Sequence, residues 1–336
     1  MRYLLPIAVL LLFFHFGLVT TIFAQNTAIR FFGTGTNGVD RITIPLKTYP
    51  TLNLGQDITI EWWMKASISE NISNPCQEQN DGWIVGNTIF DRDIYGVGDY
   101  GDFGISIANG KIAFGVHNGS SGITVCGTTI VTDGTWNHIA VTRNAQSGIL
   151  RIFVNGILNR EKQGPIGRID YNVSRSTSFP FDPYFVIGAE KHDEGSEYPS
   201  YNGLIDELRI SSSVRYTTNF TRPINPFTSD NSTVTLFHFD EANGTTVVDD
   251  RGQIVGTLRI GGSNQGPQFI ADPIFSTSSS KKGDANNDDR VNGLDYVIWL
   301  VNFSRITMEG VKHGDFNTDG VVNGLDYIIW LTNFGL

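Results

Sequence analysis

Metal-binding histidine pairs, catalytic motifs and membrane-spanning runs are scarce in this sequence. The six histidines form no pair at helical spacing, and no Ser/His/Asp arrangement can be recognised. Apolar residues run long enough to approach a membrane span only near the amino terminus. Basic residues are the minority, with 24 Lys and Arg against 34 Asp and Glu. This acidic balance disfavours nucleic acid as a partner.

Residues 1–24 have the pattern of a secretory signal peptide. Met1 and Arg2 form a short charged start, an apolar run extends from Leu4 to Val19, and the tripeptide ending at Ala24 fits a cleavage site. The length of the apolar run leaves an uncleaved anchor open as an alternative. We expect the mature chain to be secreted and to contain no membrane span.

Cys76 and Cys126 both lie in the exported part of the chain, where oxidation is permitted. We therefore expect one disulfide between them, with two buried free thiols as the alternative. Neither cysteine lies in a recognisable nucleophile motif, which disfavours a catalytic thiol.

A 12-residue acidic loop followed by an apolar helix occurs twice in the last 54 residues. Oxygen-bearing side chains occupy loop positions 1, 3, 5, 9 and 12 in both copies, and loops of this type add a backbone carbonyl at position 7. Oxygen atoms are the ligands that calcium prefers. The predicted ligands are Asp284, Asn286, Asp288, Arg290, Asn292 and Asp295 in the first loop, and Asp315, Asn317, Asp319, Val321, Asn323 and Asp326 in the second.

Position 6 distinguishes the two loops, because Gly320 takes the required turn easily while Asp289 stands there in the first copy. We expect the first loop to bind calcium more weakly. Each loop also gathers three carboxylates, whose mutual repulsion would oppose closure without a divalent ion, so folding and calcium binding are expected to be coupled. A pair of Asx-rich turns that cap two helices without metal is the alternative.

Residues 283–336 resemble a type I dockerin: each loop precedes a single helix, the copies are 31 residues apart, and Asp occupies position 12. The resemblance implies calcium-dependent docking onto a cohesin domain. It assigns partner contacts to the loop ends and helix starts, at Gly293, Leu294, Gly324 and Leu325. The near-identical halves would permit docking in two orientations related by about 180°.

The two repeated helices share nine of eleven residues counted from Gly293 and Gly324 and are apolar on nearly every face. Such helices must be buried on several sides, against each other and against a partner. For Trp299 and Trp330 a purely core role and a role in the partner interface both remain open.

The 250 or so residues before the repeat suit one large β domain. Ile58, Ile60, Trp62 and Met64 alternate with polar residues, and only Trp63 breaks the pattern. Hairpin turns are predicted where Asn-Gly pairs separate alternating runs, at Asn109-Gly110 and Asn155-Gly156. The tract STSSSKK in residues 276–282 is typical of a linker.

The stretches ITIEWWMKA, GTWNHIAVTRNAQSGILRIFVNGIL and YNGLIDELRISSSVRYTTNF resemble laminin-G-like, concanavalin A-like domains. The resemblance implies a mainly β fold, a two-sheet antiparallel jelly-roll sandwich over residues 25–275, followed by the small α-helical calcium-loop domain. The segment FHFDEANGTTVVDDRG could complete this sandwich or begin a truncated second unit, and we favour completion.

Asp206 shares its predicted face with Leu204, Leu208 and Ile210, which places a carboxylate toward the core. An unpaired charge there would cost several kcal/mol, so Asp206 must have a partner. An arginine or backbone amides could serve. The resemblance offers a structural calcium, shared with Asp40, as the alternative.

Two acidic, aromatic loops, residues 90–104 and 191–201, are candidates for a ligand surface. Aromatic rings stack on sugars while carboxylates and amides bind hydroxyls, so glycans fit this chemistry. The candidate ligand-binding residues are Trp83, Tyr95, Tyr100 and Tyr198. The alternative is that these are ordinary turn and rim residues, a role in which Asp, Gly and Tyr are common.

Hydrolysis of polysaccharides requires two carboxylates that flank the scissile bond. The chain has no E-x-D-x-E or E-x-D-x-x-E strand motif of the laminarinase type, and Glu190, Asp193 and Glu194 have the wrong spacing. We therefore expect a secreted, non-catalytic protein that binds carbohydrate or glycoprotein and attaches through its dockerin to a cohesin-bearing partner. An extracellular adhesion protein and, less favoured, a glycoside hydrolase are the alternatives.

Overall fold

The computed structural model describes residues 26–92, 102–170, 184–192, 195–275, 281–286, 288, 290–307 and 310–336. The predicted signal segment, the ligand candidates Tyr95 and Tyr100, and residues 276–280 of the predicted linker lie outside these ranges. Within them, no helix is both long and apolar enough to cross a membrane.

The described residues form sixteen strands and two α-helices. In chain order they are β1 Ala28–Phe32, β2 Arg41–Pro45, β3 Ile58–Ser67, β4 Asn87–Asp91, β5 Asp102–Ala108, β6 Lys111–His117, β7 Gly122–Ile130, β8 Asp133–Arg143, β9 Ile149–Val154, β10 Ile157–Gln163, β11 Tyr184–Ile187, β12 Asn202–Ser211, β13 Thr233–Phe237, β14 Thr246–Val248, β15 Val255–Arg259, β16 Gln268–Ile270, α1 Gly293–Asn302 and α2 Gly324–Asn333.

The strands form two antiparallel sheets that make a sandwich. The first sheet has the order β10-β9-β8-β3-β12-β1-β16, and β13 also pairs with β12; the second has the order β14-β15-β2-β11-β4-β5-β6-β7. The strands after residue 232 join both sheets. This part of the chain therefore completes the sandwich and does not begin a second unit.

Alternation along β3 places the predicted side chains in the core between the sheets. Ile58, Ile60, Trp62 and Met64 are buried there, and the Trp62 ring meets Phe90 edge-on with 4.8 Å between ring centroids. Large aromatic surfaces contribute strongly to such cores because they remove much apolar area from water.

Both predicted Asn-Gly turns are confirmed. Asn109 and Gly110 have φ of 47° and 78° between β5 and β6, and Asn155 and Gly156 have φ of 52° and 81° between β9 and β10. Two successive positive φ values define the hairpin turn whose twist matches the flanking strands, which explains the choice of Asn-Gly.

The outer face of the first sheet is partly covered by residues 212–232, and this explains the exception at Trp63. The Trp63 side chain lies on that face, is 1% exposed and packs against Phe227 and Leu236. The Tyr216 hydroxyl donates to the buried Glu61 carboxylate at 2.8 Å. Burial alone would raise the pKa of Glu61, but its contact with His138 and the positive charge of Arg209 outweigh burial and lower the pKa.

Each C-terminal helix begins with the same cap. The side chains of Asn292 and Asn323 accept hydrogen bonds from the helix amide two positions later, and Asp295 and Asp326 bond back to the amides of these caps. This capping box satisfies helix donors that have no partner within the helix. The repeated sequence thus specifies the same helix start twice.

Candidate calcium loops and ligand surface

The position-12 aspartates connect the start of each loop to its end. Asp295 Oδ1 accepts from the amide of Ala285 at 2.8 Å, and its Oδ2 accepts from the amide of Asn292 at 2.8 Å. The amide of Asn286 also donates to Asp295 Oδ1, at 3.1 Å, and Asp326 accepts in the same way from the amides of Asn317 and Asn323 at 3.0 and 2.8 Å. Both carboxylates are fully buried, and these amides satisfy them.

Positions 1, 3 and 5 carry a second shared set of bonds. In the second loop the amide of Asp319 donates to side-chain oxygens of Asp315 and Asn317 at 3.1 and 3.0 Å. In the first loop the amide of Asp288 donates to the equivalent oxygens of Asp284 and Asn286 at 3.3 and 3.0 Å. The chain therefore winds around the predicted ligand oxygens in both copies.

The donor set of the loops fits a hard cation. All predicted side-chain ligand atoms are oxygens of Asp or Asn, and the backbone carbonyls of Arg290 and Val321 are the predicted ligands at position 7. Among the described residues, no three His, Cys, Asp or Glu side chains converge as a ready metal cage. Calcium would therefore need the Asn and carbonyl oxygens in addition to the carboxylates, and calcium binding stays a prediction.

Two reciprocal hydrogen bonds connect the repeats. Trp299 Nε1 donates to the carbonyl of Asn323, and Trp330 Nε1 donates to the carbonyl of Asn292, both at 2.9 Å. Trp299 is 8% exposed and packs in a small aromatic core with Tyr327. The structure thus gives both tryptophans a role inside the repeat.

The helix residues assigned to partner contacts are accessible. Leu294 and Leu325 are 61% and 62% exposed, and the space beside Gly293 and Gly324 is open. Each helix packs against the other repeat and leaves an apolar face exposed, so burial of that face against a partner stays a prediction. The other exposed apolar residues of these helices are Val297, Leu300 and Val301 on α1 and Ile328 and Leu331 on α2.

Trp83 is wrongly predicted as a ligand-binding residue. It is 1% exposed beneath β5 and β6, where a Cβ at Gly104 or Gly115 would stand 2.2 or 2.0 Å from its ring atoms. These glycines leave the space that the indole fills, so the side chain cannot stack on a sugar. The paired glycines on neighbouring strands were the sequence signal for this buried ring.

The bases of the two candidate ligand loops lie together beside β4 and β11. The amide of Lys191 donates to Asp91 Oδ2 at 2.5 Å, and an Arg41 Nη donates to the carbonyl of Glu190 at 2.7 Å. All four side chains are buried. Tyr198 is half-buried on the second loop. The structure therefore brings the bases of the two loops together.

The predicted disulfide is confirmed. Cys76 and Cys126 are bonded, with 5.7 Å between their Cα atoms, and the bond connects the segment after β3 to β7. Such a link restricts the unfolded chain and so stabilises the folded one.

Asp206 and Asp40 do not form a shared site. A β-bulge lies between Asp206 and Arg209, with Glu207 at a φ of 52°, so Asp206 shares the outer face with its neighbour Trp63 instead of facing the core. Its oxygens accept from the amides of Glu207 and Ile274, both at 2.8 Å. Backbone amides are therefore its partners.

Asp40 has a separate set of partners near the other end of β1. Its Oδ2 accepts from the amides of Phe32 and Thr34, both at 2.9 Å. Burial raises the pKa of Asp40 above its ordinary value, and it raises the pKa of Asp206 to about 8, with Glu207 and Asp240 adding to the effect.

Comparison with known proteins gives partial matches at low identity. The sushi, von Willebrand factor type A, EGF and pentraxin domain-containing protein 1 of Rattus norvegicus is 28% identical over 164 residues, which are 48% of this chain and 4% of that protein. A Bacteroides ovatus structure, provisionally described as a carbohydrate binding protein, is 17% identical with a TM-score of 0.46, covering 73% of this chain and 60% of that one. Domains LG4-5 of the mouse laminin alpha1 chain are 16% identical with a TM-score of 0.39, covering 59% and 47%.

One family model matches residues 36–218, which is more than half of the chain. The matched range runs from the segment before β2 to the segment after β12 and contains the central strands of both sheets. The chain belongs to the concanavalin A-like lectin/glucanases superfamily.

Proposed function

We propose that this chain is an exported, non-catalytic recognition protein. Its sandwich binds carbohydrate or glycoprotein. Its repeat, residues 283–336, is a type I dockerin that folds around calcium and attaches the protein to a cohesin-bearing partner outside the cell.

The repetition of the same hydrogen-bond set in both loops carries the dockerin proposal. Asp295 and Asp326 accept the same pair of loop amides, and Asp288 and Asp319 donate from equivalent positions to equivalent oxygens. If these Asx-rich turns served only to cap the helices, the hydrogen bonds of the two capping boxes would be sufficient. The additional hydrogen bonds connect positions 1, 3 and 5 within each loop, and their repetition in both copies supports a metal-binding role.

Calcium, when bound, would neutralise the three carboxylates of each loop. Without it, Asp315, Asp319 and Asp326 repel one another, and the loop closes against that repulsion. Because each loop is continuous with the cap of its helix, ordering of the loop would also order the helix start. The exposed leucines Leu294 and Leu325 would then be presented on a fixed surface.

Family membership supports carbohydrate binding by the sandwich, and the lack of an E-x-D-x-E or E-x-D-x-x-E strand motif supports a role without catalysis. A hydrolase needs two carboxylates that reach the substrate.

Capture of partners by the full mature chain tests the docking proposal. With calcium present, we expect the immobilised chain to retain a cohesin-domain protein from the producing organism, and we expect EGTA to release it. The double variant Leu294→Arg/Leu325→Arg should lose retention, since a charge would be buried in the interface. Ile157→Arg, at an exposed sandwich residue, is the matched control. Recovery of no cohesin-domain protein would overturn docking and leave the carbohydrate proposal standing.

A further inference from the structure

An open groove of about 300 Å³ lies on the outer face of the first sheet, beside the part that residues 212–232 cover. Its charged lining consists of Arg30, Lys65, Glu70 and Asp272, and Leu204 and Ile270 contribute apolar surface. None of these residues was singled out from the sequence as a ligand contact.

Strand register fixes the layout of the groove. Arg30 on β1 is paired with Leu204 on β12, which is paired in turn with Lys65 on β3. Neighbouring strands are separated by about 4.8 Å, so the two basic residues start roughly 10 Å apart with Leu204 between them. The groove therefore has an apolar centre flanked by two charged groups.

Each basic residue of the groove forms an ion pair with an acidic residue. Arg30 Nη2 lies 3.3 Å from Glu70 Oε1, and Lys65 Nζ lies 2.9 Å from Asp272 Oδ2. Glu70 and Asp272 are close to half-exposed, at 45% and 44% of their side chains. These groups keep further hydrogen-bonding capacity, because the Lys65 ammonium has three donors and each carboxylate has two acceptor oxygens, while the Arg30 guanidinium has five donors and also donates to the Phe31 carbonyl.

We propose that this groove is the carbohydrate site of the sandwich and takes a neutral saccharide. This inference rests on the proposed function. The four lining charges cancel, so an ionic ligand gains no net attraction and would have to break an existing pair. A sugar hydroxyl both donates and accepts, so it can bond to either member of each pair. Leu204 is 5% exposed, so the half-buried Ile270 provides the apolar surface that receives the C–H face of the ring.

Groove size limits the ligand. A volume of about 300 Å³ is at the lower end of the range for small-molecule sites, which suits a terminal sugar or a short oligosaccharide. The groove also differs from the predicted loop surface, where Trp83 is buried and Tyr198 is half-buried.

Binding of the full mature chain to an array of neutral, sialylated and sulfated oligosaccharides tests this assignment. We expect wild-type protein to prefer neutral glycans. The double variant Glu70→Gln/Asp272→Asn should weaken binding about tenfold or more, because hydrogen bonds to charged groups are lost. Glu161→Gln is the matched control, since the Arg151–Glu161 pair is on the same sheet with nearly the same exposure, 12% and 44%. Its binding should stay unchanged.

Ser67→Trp provides a second variant that leaves both ion pairs in place and fills the groove with an indole. It should abolish binding while the unfolding temperature stays near that of the wild type. If both groove variants bind glycan as the wild type does, or if Tyr198→Ala loses binding instead, the groove is not the binding site. The proposal that the sandwich binds carbohydrate would still stand. A preference for sialylated or sulfated glycans would contradict the assignment of a neutral ligand. Binding of no glycan by wild-type protein would overturn the proposed carbohydrate function and the groove together.

Discussion

The indole Nε1 of Trp299 donates a hydrogen bond to the backbone carbonyl of Asn323, at a distance of 2.9 Å. Asn323 is both position 9 of the second loop and the cap of α2. The helix of the first repeat therefore supports the loop of the second. Trp330 and Asn292 form the reverse contact. Closure of either loop should consequently depend on the other repeat.

Trp299→Phe should weaken calcium binding at the second loop, although it changes no predicted ligand. The ring remains in the aromatic core, but the carbonyl of Asn323 loses its donor. A neutral hydrogen bond contributes about 1 kcal/mol, which corresponds to roughly a fivefold loss of affinity. Titration calorimetry with calcium on the full mature chain measures the effect.

Tyr296→Phe is the control for this substitution, because it keeps an aromatic ring in the same cluster and leaves both Trp contacts in place. Its calcium affinity should match that of the wild type. Equal affinities for Trp299→Phe and Tyr296→Phe would show that the loops close independently.

Gly320→Ala should also weaken calcium binding at the second loop, because it changes the backbone conformation that residue 320 can adopt. Gly320 has a φ of 87°, and the nearest atom to an added Cβ is the Thr307 carbonyl oxygen at 3.8 Å, so space is available. The cost is the left-handed backbone, about 1–2 kcal/mol for a residue with a Cβ.

Gly324→Ala is the matched control for Gly320→Ala, since Gly324 has open space around it and lies in the first turn of α2. Calcium titration of both variants should show roughly tenfold weaker binding in Gly320→Ala alone. A similar result for both glycines would exclude backbone strain as the cause.

The local parts of the fold could be predicted from the sequence because they depend on neighbouring residues. Alternation in β3, the turns at Asn109 and Asn155 and the caps at Asn292 and Asn323 each need only a few consecutive side chains. The reciprocal tryptophan contacts could not be predicted, because they depend on how two helices 31 residues apart are placed.

Two predictions from the sequence are wrong for the same physical reason. In each case the surroundings of the side chain depend on residues that the local sequence pattern does not include. Trp83 looked like a ligand residue because it lies near an acidic loop, but Gly104 and Gly115 provide a buried space for it. Asp206 looked like a core carboxylate because simple alternation continues through it, but the bulge beside Glu207 changes the face. Neither glycine packing nor a bulge is visible in the periodicity of a single segment. The same reasoning explains why the groove at Leu204 was missed.

Removal of the disulfide should lower the stability of the sandwich. The bond joins residues 50 positions apart. Loop-closure entropy for that separation gives about 4 kcal/mol, a value that residual structure in the unfolded chain would reduce. Chemical denaturation of Cys76→Ser/Cys126→Ser against wild type under oxidising conditions measures the difference. Equal stability would mean that the two segments are already constrained without the bond.

The buried carboxyl of Asp206 predicts a specific dependence of stability on pH. Its folded pKa is raised by burial to about 8 from 3.8, so the folded state holds the proton more tightly than the unfolded state. Its contribution to stability is therefore fully present below pH 3.8 and decreases as the pH rises to about 8. Within that window the slope contributed by one proton is at most about 1.4 kcal/mol per pH unit.

Asp206→Asn should remove this part of the slope, because the amide does not titrate. Denaturant unfolding of both proteins between pH 4 and 8 gives the comparison, and the difference between the variant and the wild type should grow in favour of the variant as the pH rises. His238, with a raised pKa, contributes a slope of the same sign but is present in both proteins, so it largely cancels. Glu197→Gln, at an exposed carboxylate that is not among the charges acting on Asp206 or His238, is the control for the loss of one negative charge. Parallel curves for wild type and Asp206→Asn would show that the Asp206 carboxyl is ionised in the folded protein, with the amides of Glu207 and Ile274 sufficient to stabilise its charge.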